Sequence, residues 1–289
     1  MKTVKTITLL SGLFLCQLLS AQRSSETITE ELSFSTNSSE NMLVVQNVNG
    51  PISVEGYEGN TIKIEVDKTI TAKSENKLEE GKREIGIKVE EVGKRIYVYL
   101  DSPWTHFNSA TGKFEHRENH DGWEKPKYRY LLDFKLKVPR STNVKLATMN
   151  DGDIYARNIQ GNEIIVSNLN GAITLDNVSG RTDVNALNRD INITYFRNPT
   201  EDSRYHSLNG DINVTFKEDL NADVSFKSLN GDLYTNYDTA KMTPKLEKKK
   251  NRNGKGVKYN LSSNESFRIG KGGIKLDFNL LNGDATVKK

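Results

Sequence analysis

From Val144 to Asp238 the chain runs in short bursts of alternating apolar and polar residues, each closed by a turn signal. The bursts place β-branched or aliphatic residues two apart, as at Ile173 and Leu175, Ile191 and Ile193, and Ile212 and Val214. A period of two sets those side chains on one face of a strand. Two kinds of burst alternate. One ends in Leu-Asn-Gly or a near copy, at 149–152, 169–171, 187–189, 208–210 and 229–231. The other ends in Asn-Ile-x-Gly or Asn-Val-x-Gly, at 158–161 and 177–180. Equivalent glycines lie about 20 residues apart, from Gly152 to Gly171 and from Gly210 to Gly231. Self-similarity at that period marks a stacked architecture.

The pattern predicts an all-β protein: a single-stack β-solenoid with about two strands and about 20 residues per coil. One short strand cannot bury its apolar face alone, whereas equivalent strands laid side by side make a parallel sheet and a continuous core. Leu169, Leu187, Leu208 and Leu229 each follow an apolar strand residue by three positions, at Val166, Val184, Tyr205 and Phe226. Three is out of phase with a flat strand, so the chain must bend there. The expectation is an internal leucine ladder at the bend. Asn-Gly suits the corner, because glycine takes φ > 0 without strain and asparagine tolerates it. The same dipeptide signals a hairpin, so an antiparallel meander is the rival. The alternation of two burst classes favours the solenoid.

Outside this region the pattern is less regular. Residues 22–40 are rich in Ser, Thr, Glu and Asn and read as a loose start or an edge strand. Residues 41–140 form an N-terminal β region. It opens with one copy of the repeat at 43–66, set apart from the main stack in the sequence. Between Thr71 and Arg83 helix formers take over, with Ser74 as a candidate N-cap. Strand patterns return at 85–89, 96–100 and 132–138, and Pro139 closes the last. Residues 101–129 break the pattern and read as a long loop or hairpin inserted between two strands. The main repeat region spans 141–289, with a mobile basic loop expected at 241–258. A last motif copy, Leu281-Asn282-Gly283-Asp284, is expected to finish the stack.

Composition changes the picture in two ways. A hydrophobic content of 35% and a mean hydropathy of −0.64 suit a thin, elongated core better than a thick globule. Lys and Arg number 41 against 38 Asp and Glu, a balance without the bias of a nucleic-acid-binding surface. Residues 1–21 read as a secretory signal peptide. Lys2 and Lys5 precede an apolar run from Ile7 to Leu19, and Ser20-Ala21 offers a small-residue exit. The run is short for a membrane span. Cys16 is the sole cysteine, and Leu15 before it is unlike the small residue of a lipidation signal. Loss of the leader would leave a chain without thiols or disulfides, held by packing and ladder hydrogen bonds.

Four sets of residues could carry chemistry. The insert holds His106, His116 and His120 with Glu115, Glu118 and Asp121. Imidazole and carboxylate together suit zinc, but the order His-Arg-Glu-Asn-His is not a zinc-helix motif, and a solvated loop is the simpler reading. Asp153, Asp190, Asp211, Asp232 and Asp284 follow the turns. Stacked at about 4.8 Å they could hold calcium; the plainer reading is that Asp suits a residue after a turn. Glycan cleavage needs two acids at a set separation, yet the acids here recur with the repeat as structural residues do. Finally Trp104, Phe107, Phe114, Trp123, Tyr128 and Tyr130 could stack on a sugar or a protein, or simply pack the insert down. The candidate binding residues are therefore Trp104, His106, His116, His120 and Trp123. The metal candidates are Asp153, Asp190, Asp211 and Asp232. No cofactor is expected.

The runs Val138-Pro139, Asn143-Val144-Lys145-Leu146, Asn150-Asp151-Gly152-Asp153-Ile154, Asn158-Ile159-Gln160-Gly161 and Leu169-Asn170-Gly171-Ala172-Ile173 resemble a family of candidate adhesins of the bacterial envelope, a repeat-built domain of unknown function. The resemblance covers most of residues 42–289. It implies an exported β-solenoid, in the periplasm, at the surface or secreted, and by its name adhesion. The motif residues are architectural, so it carries over no catalytic group. The expectation is a non-enzymatic surface for binding or envelope scaffolding, its partner a cell-surface glycan or an envelope protein. The alternatives are a glycan-active or metal-dependent envelope enzyme, and an envelope-stress component acting through a protein partner.

Overall fold

The computed structural model describes residues 21–116, 125–242, 246–250, 257–261 and 265–289. The leader-like segment 1–20 lies outside them. The protein is all-β, with one helix among the described residues. Strands β1 (Gln22–Leu32), β2 (Met42–Gln46), β3 (Ile52–Tyr57) and β4 (Ile62–Ala72) precede helix α1 (Glu75–Glu84). Next come β5 (Gly86–Val92), β6 (Arg95–Asp101), β7 (Thr105–Asn108), β8 (Lys113–His116) and β9 (Tyr128–Pro139). The repeat supplies β10 (Asn143–Thr148), β11 (Ile154–Arg157), β12 (Glu163–Asn168), β13 (Ile173–Val178) and β14 (Arg181–Ala186). It continues through β15 (Ile191–Tyr195), β16 (Ser203–Asn209), β17 (Ile212–Thr215), β18 (Ala222–Lys227) and β19 (Leu233–Thr235). The chain then forms β20 (Thr239–Lys241), β21 (Leu246–Lys250), β22 (Val257–Leu261), β23 (Glu265–Ile269), β24 (Ile274–Asn282) and β25 (Ala285–Lys288).

Successive repeat strands alternate between two large sheets. The ten-stranded sheet runs β1-β4-β9-β3-β11-β13-β15-β17-β25-β19, and the eleven-stranded sheet runs β20-β23-β18-β24-β16-β14-β12-β10-β2-β6-β5. Within the repeat every pairing is parallel and brings like over like. Ile52, Ile154, Ile173, Ile191, Ile212 and Ala285 form one row. Leu146, Val166, Val184, Tyr205 and Phe278 form the facing one. All are buried, each Val, Leu or Ile among them contributing about 1.5–3 kcal/mol by leaving water. Toward the C-terminal half the rows widen into aromatics. Tyr195 stacks on Phe216 at 4.9 Å and Tyr205 on Phe278 at 4.6 Å. The buried hydroxyls of Tyr195 and Tyr205 meet at 2.7 Å, beside Thr182. Burial holds both phenols well above their ordinary pKa, Tyr205 at about 12.

Four expectations are corrected. The leucines do not form an internal ladder. Leu208 is 36% exposed and Leu229 72%, while Leu169 and Leu187 are half-buried. The inward position at that corner is one residue earlier, at Thr148, Asn168, Ala186 and Ser207, all buried. The reason is hydrogen bonding. The Asn168 amide donates to the Gly152 and Ala172 carbonyls and accepts from the Gly171 N–H, while Thr148 and Ser207 donate to the Gly50 and Gly210 carbonyls. A tight turn inside a core must satisfy its own carbonyls, so polar side chains turn in and the leucines turn out.

The first repeat copy is not set apart. β2 pairs with β10 and β3 with β11, so it joins the main stack directly. Nor does the last copy finish the stack. β24 lies between β16 and β18, and β25 between β17 and β19. The basic segment expected as a loop carries the antiparallel pair β21–β22, although residues 243–245 and 251–256 lie outside the described set. β1 proves to be an eleven-residue edge strand, antiparallel to β4.

The turns are tight because backbones touch across the stack. A Cβ on Gly171 would lie 2.0 Å from the Gly152 carbonyl oxygen. At the start of the stack, α1 packs Leu78 and Gly81 inward. Ser74 sits at its N-cap with extended backbone but makes no side-chain capping bond. Its far end is closed instead by Lys68, a 5% exposed residue whose ammonium donates to the Lys82 and Ile85 carbonyls at 2.9 and 2.6 Å. The same ammonium pairs with Glu26 at 2.7 Å.

Candidate functional site

The corner after the eleven-stranded sheet carries two ordered outer rows. Asn49, Asn150, Asn170, Asn188, Asn209, Asn282 and Asn230 form one amide ladder. Each Nδ2 donates to the preceding Oδ1 at 2.8–3.2 Å. The residue before each asparagine is apolar, and these line up too: Val48, Met149, Leu169, Leu187, Leu208, Leu281 and Leu229. Met149, Leu208 and Leu281 are 36–45% exposed. Adjacent members sit one strand apart, about 4.8 Å. The sequence predicted the leucine row and the asparagines, but placed the leucines inside.

The aspartates after the turns have a structural task. Asp153 Oδ1 accepts the Ala172 N–H, Asp190 the Asp211 N–H, Asp211 the Asp284 N–H and Asp284 the Asp232 N–H, all at 2.8–2.9 Å. Each carboxylate thus anchors the following unit, and one of its oxygens is engaged. Among the described residues no three His, Cys, Asp or Glu side chains are placed to hold a metal ion.

The insert folds as a small hairpin, β7 against β8. Asn108 Oδ1 accepts from the N–H groups of Ala110 and Thr111, which shapes the turn. Phe107 and Phe114 pack on Tyr97 and Tyr99 of β6, with ring centroids 4.7–6.3 Å apart. Trp104 is buried beside Tyr130. Its ring is therefore a packing element, and its expectation as a presented binding group is corrected: these aromatics hold the insert to the sheet. Tyr130 is half-buried, and its desolvation pushes the hydroxyl pKa up to about 12. His106 is exposed on β7, and in backbone register it faces Glu115. His116 lies on β8, a strand and not a helix, opposite Thr105. His120 and Trp123 lie outside the described residues.

Two depressions flank these elements. One, of about 640 Å³, lies between the hairpin turn at Thr111-Gly112 and the edge of the eleven-stranded sheet. Met42 and Tyr97 line it together with the ion pairs Lys94–Glu40 and Arg181–Glu163, at 2.7 and 2.6 Å. Its lining is mostly polar, with Met42 and Tyr97 themselves buried, which suits a polar ligand. The other, of about 670 Å³, lies on the outer face of the ten-stranded sheet across β1, β4, β9, β3 and β11. Its charges are paired across strands: Lys135 with Asp67 and Glu65, and Arg157 with Glu55.

Hydrogen bonds from Lys135 and Thr27 hold the Asp67 carboxyl below its usual range. Asp133, directly across from Asp67 in register, goes the other way. Burial raises its pKa, and Asp67 and Glu65 add to that while Lys135 opposes it. A carboxyl that holds its proton more tightly when folded favours the fold below its unfolded pKa and loses that advantage as pH rises. Asp133→Asn is therefore expected to raise the melting temperature at pH 7. The gain should vanish near about pH 3, below the unfolded aspartate value. Thermal unfolding at both pH values checks this, and an equal gain at both would contradict it.

A repeat-built β protein whose outer residues fall into unbroken in-register rows is what the fold and these surfaces define. Residues 133–276 match the family model Toastrack DUF4097, and this part of the chain is a domain of that family. No curated protein sequence matches it. Among solved structures, it resembles a candidate cell adhesion protein from Clostridium sporogenes, 12% identical, covering 92% of this chain and 99% of that one, with a TM-score of 0.47. A candidate adhesin from Bacteroides fragilis is 10% identical over 91% of this chain and 96% of its own, with a TM-score of 0.30. A candidate lipid-binding protein from Parabacteroides distasonis is 11% identical over 92% and 96%, with a TM-score of 0.26. Among the described residues no helix is long and apolar enough to cross a membrane.

Proposed function

We propose that this protein is an exported, non-enzymatic, adhesin-like β-solenoid that presents its stacked surface to a glycan or a protein of the cell envelope. The observation that supports it is the corner described above, where an amide ladder runs beside a row of part-exposed apolar side chains. The ladder fixes the spacing of that row, so binding it costs little ordering entropy. Apolar groups rimmed by amides and carboxylates can accept either a sugar's faces or a protein's side chains. The leader-like start of the sequence fits export, and the depression beside the insert offers a second contact for the same partner.

The test is binding of the purified chain to an array of envelope glycans and to immobilised envelope proteins. Leu208→Ser with Leu281→Ser should weaken capture by about tenfold; each side chain is only about a third exposed, so thermal unfolding is measured alongside to confirm that the variant remains folded at the assay temperature. Capture that survives both changes would argue against the corner. Turnover of any arrayed glycan, lost on changing one acid, would replace this reading with an enzymatic one.

A further inference from the structure

The two ends of the repeat are closed differently. Each unit passes hydrogen bonds to the next in a fixed direction. The N–H of the first strand residue in the ten-stranded sheet donates to the carbonyl just before the next strand. This holds for Ile52 to Asp153, Ile154 to Ala172, Ile173 to Asp190, Ile191 to Asp211, Ile212 to Asp284 and Ala285 to Asp232. The series stops at Leu233, the equivalent residue of β19. Among the described residues β19 pairs with β25 alone and forms the edge of its sheet. The side-chain ladders stop at the same unit. Asn230 donates inward to Asn282, and the Asp232 N–H donates inward to Asp284. Their own Oδ1 atoms occupy the accepting positions that every earlier Asn of the ladder, and each of Asp190, Asp211 and Asp284, offers to the unit that follows.

Side-chain exposure marks the same place. Leu229 is 72% exposed, against 36% for Leu208 and 38% for Leu281 in the same row, and Tyr234 is 53% exposed. A depression of about 670 Å³ lies there, lined by Phe226, Ser228, Asp232, Leu233 and Tyr234. The Ser228 hydroxyl is buried without a hydrogen-bond partner among the described residues. In the preceding units of that row Ser207 and Asn168 satisfy turn carbonyls.

We propose that this end of the stack accepts a parallel β-strand from another polypeptide whose sequence repeats the motif itself: Asn-Gly-Asp, then aliphatic residues at alternate positions. The incoming carbonyl before the strand takes the Leu233 N–H. The incoming asparagine amide donates to Asn230 Oδ1, the N–H after the incoming glycine donates to Asp232 Oδ1, and the first aliphatic side chain covers Leu233. Strand addition of this kind draws affinity from main-chain bonds and selectivity from alternate side chains. The copies of the motif in the described part of this chain are already paired within its own stack. The strand therefore comes from a different polypeptide.

The probe is a labelled synthetic peptide with the sequence of residues 207–216, Ser-Leu-Asn-Gly-Asp-Ile-Asn-Val-Thr-Phe. It is titrated against the full chain by fluorescence anisotropy, with a shuffled peptide of the same composition as control. Saturable binding about tenfold tighter than the control is expected, with slowed amide exchange confined to residues 229–235. Leu233→Pro removes only an outward N–H at the first residue of an edge strand, a position where proline is tolerated. It should weaken binding about tenfold. Asn230→Ala with Asp232→Ala, which leaves the backbone alone, should do the same. The proposal fails if the shuffled peptide binds equally, if neither peptide binds, or if protection maps to the outer corner. It fails too if the chain self-associates in a manner lost on Leu233→Pro, for then the occupant is a second copy. Absence of peptide binding, or equal binding of the shuffled peptide, leaves capture by the Leu208 and Leu281 corner untouched.

Discussion

Gly171→Ala is expected to destabilise the protein by about 3 kcal/mol, at the upper end of the range for overpacking a tight site. The added methyl would sit 2.0 Å from the Gly152 carbonyl oxygen and 2.6 Å from the Asn168 amide nitrogen. The first obstacle is backbone, so no side chain can swing aside. The second belongs to the amide that satisfies three groups of the turn. Relief therefore requires two units to part, which breaks parallel ladder bonds. Gly86→Ala is the control, since its Cβ would meet only the Asp101 Cβ at 4.0 Å. Urea unfolding of both variants reads the difference, and equal losses would show that close approach is not what the turn glycines serve.

Lys68→Met should cost about 2–4 kcal/mol and release helix α1 before the rest of the chain unfolds. The ammonium closes two carbonyls at the helix end, where the helix dipole favours a cation. Methionine matches its volume but leaves those carbonyls buried beside an apolar side chain. Glu26, by contrast, is more than half exposed and returns to water. Faster amide exchange across residues 75–84 in the variant, with the repeat strands unchanged, is the expected signature. Uniform exchange across the whole chain would mean that α1 and the stack unfold as one.

Much of the architecture was legible because the repeat writes it several times. Alternation at Ile173, Ile191 and Ile212 gave the buried rows, and the Asn-Gly pairs gave the corners. What misled was the leucine before each asparagine. Hydrophobicity alone sends leucine inward, but a turn packed against its neighbours needs polar atoms inside, and Asn168, Thr148 and Ser207 supply them. The order of the last units was also hidden. A short-range pattern fixes which segments resemble one another, not which neighbour each chooses. Of the candidate residues, Trp104 was visible as an aromatic in an irregular insert. Only the packing of Phe107 and Phe114 on Tyr97 and Tyr99 separates an anchor from a presented ring.

The placement of β24 and β25 has a temporal meaning. A chain read from its N-terminus makes β18 and β19 before the two strands that must lie between them and their predecessors. Until residues 274–288 arrive, β18 and β19 lack the parallel neighbours that β24 and β25 supply in the finished fold. The closing piece is thus a wedge driven into a standing pile, not a tile laid on top. Contacts between residues so distant in sequence form slowly. Completion of the stack therefore waits on residues 274–288.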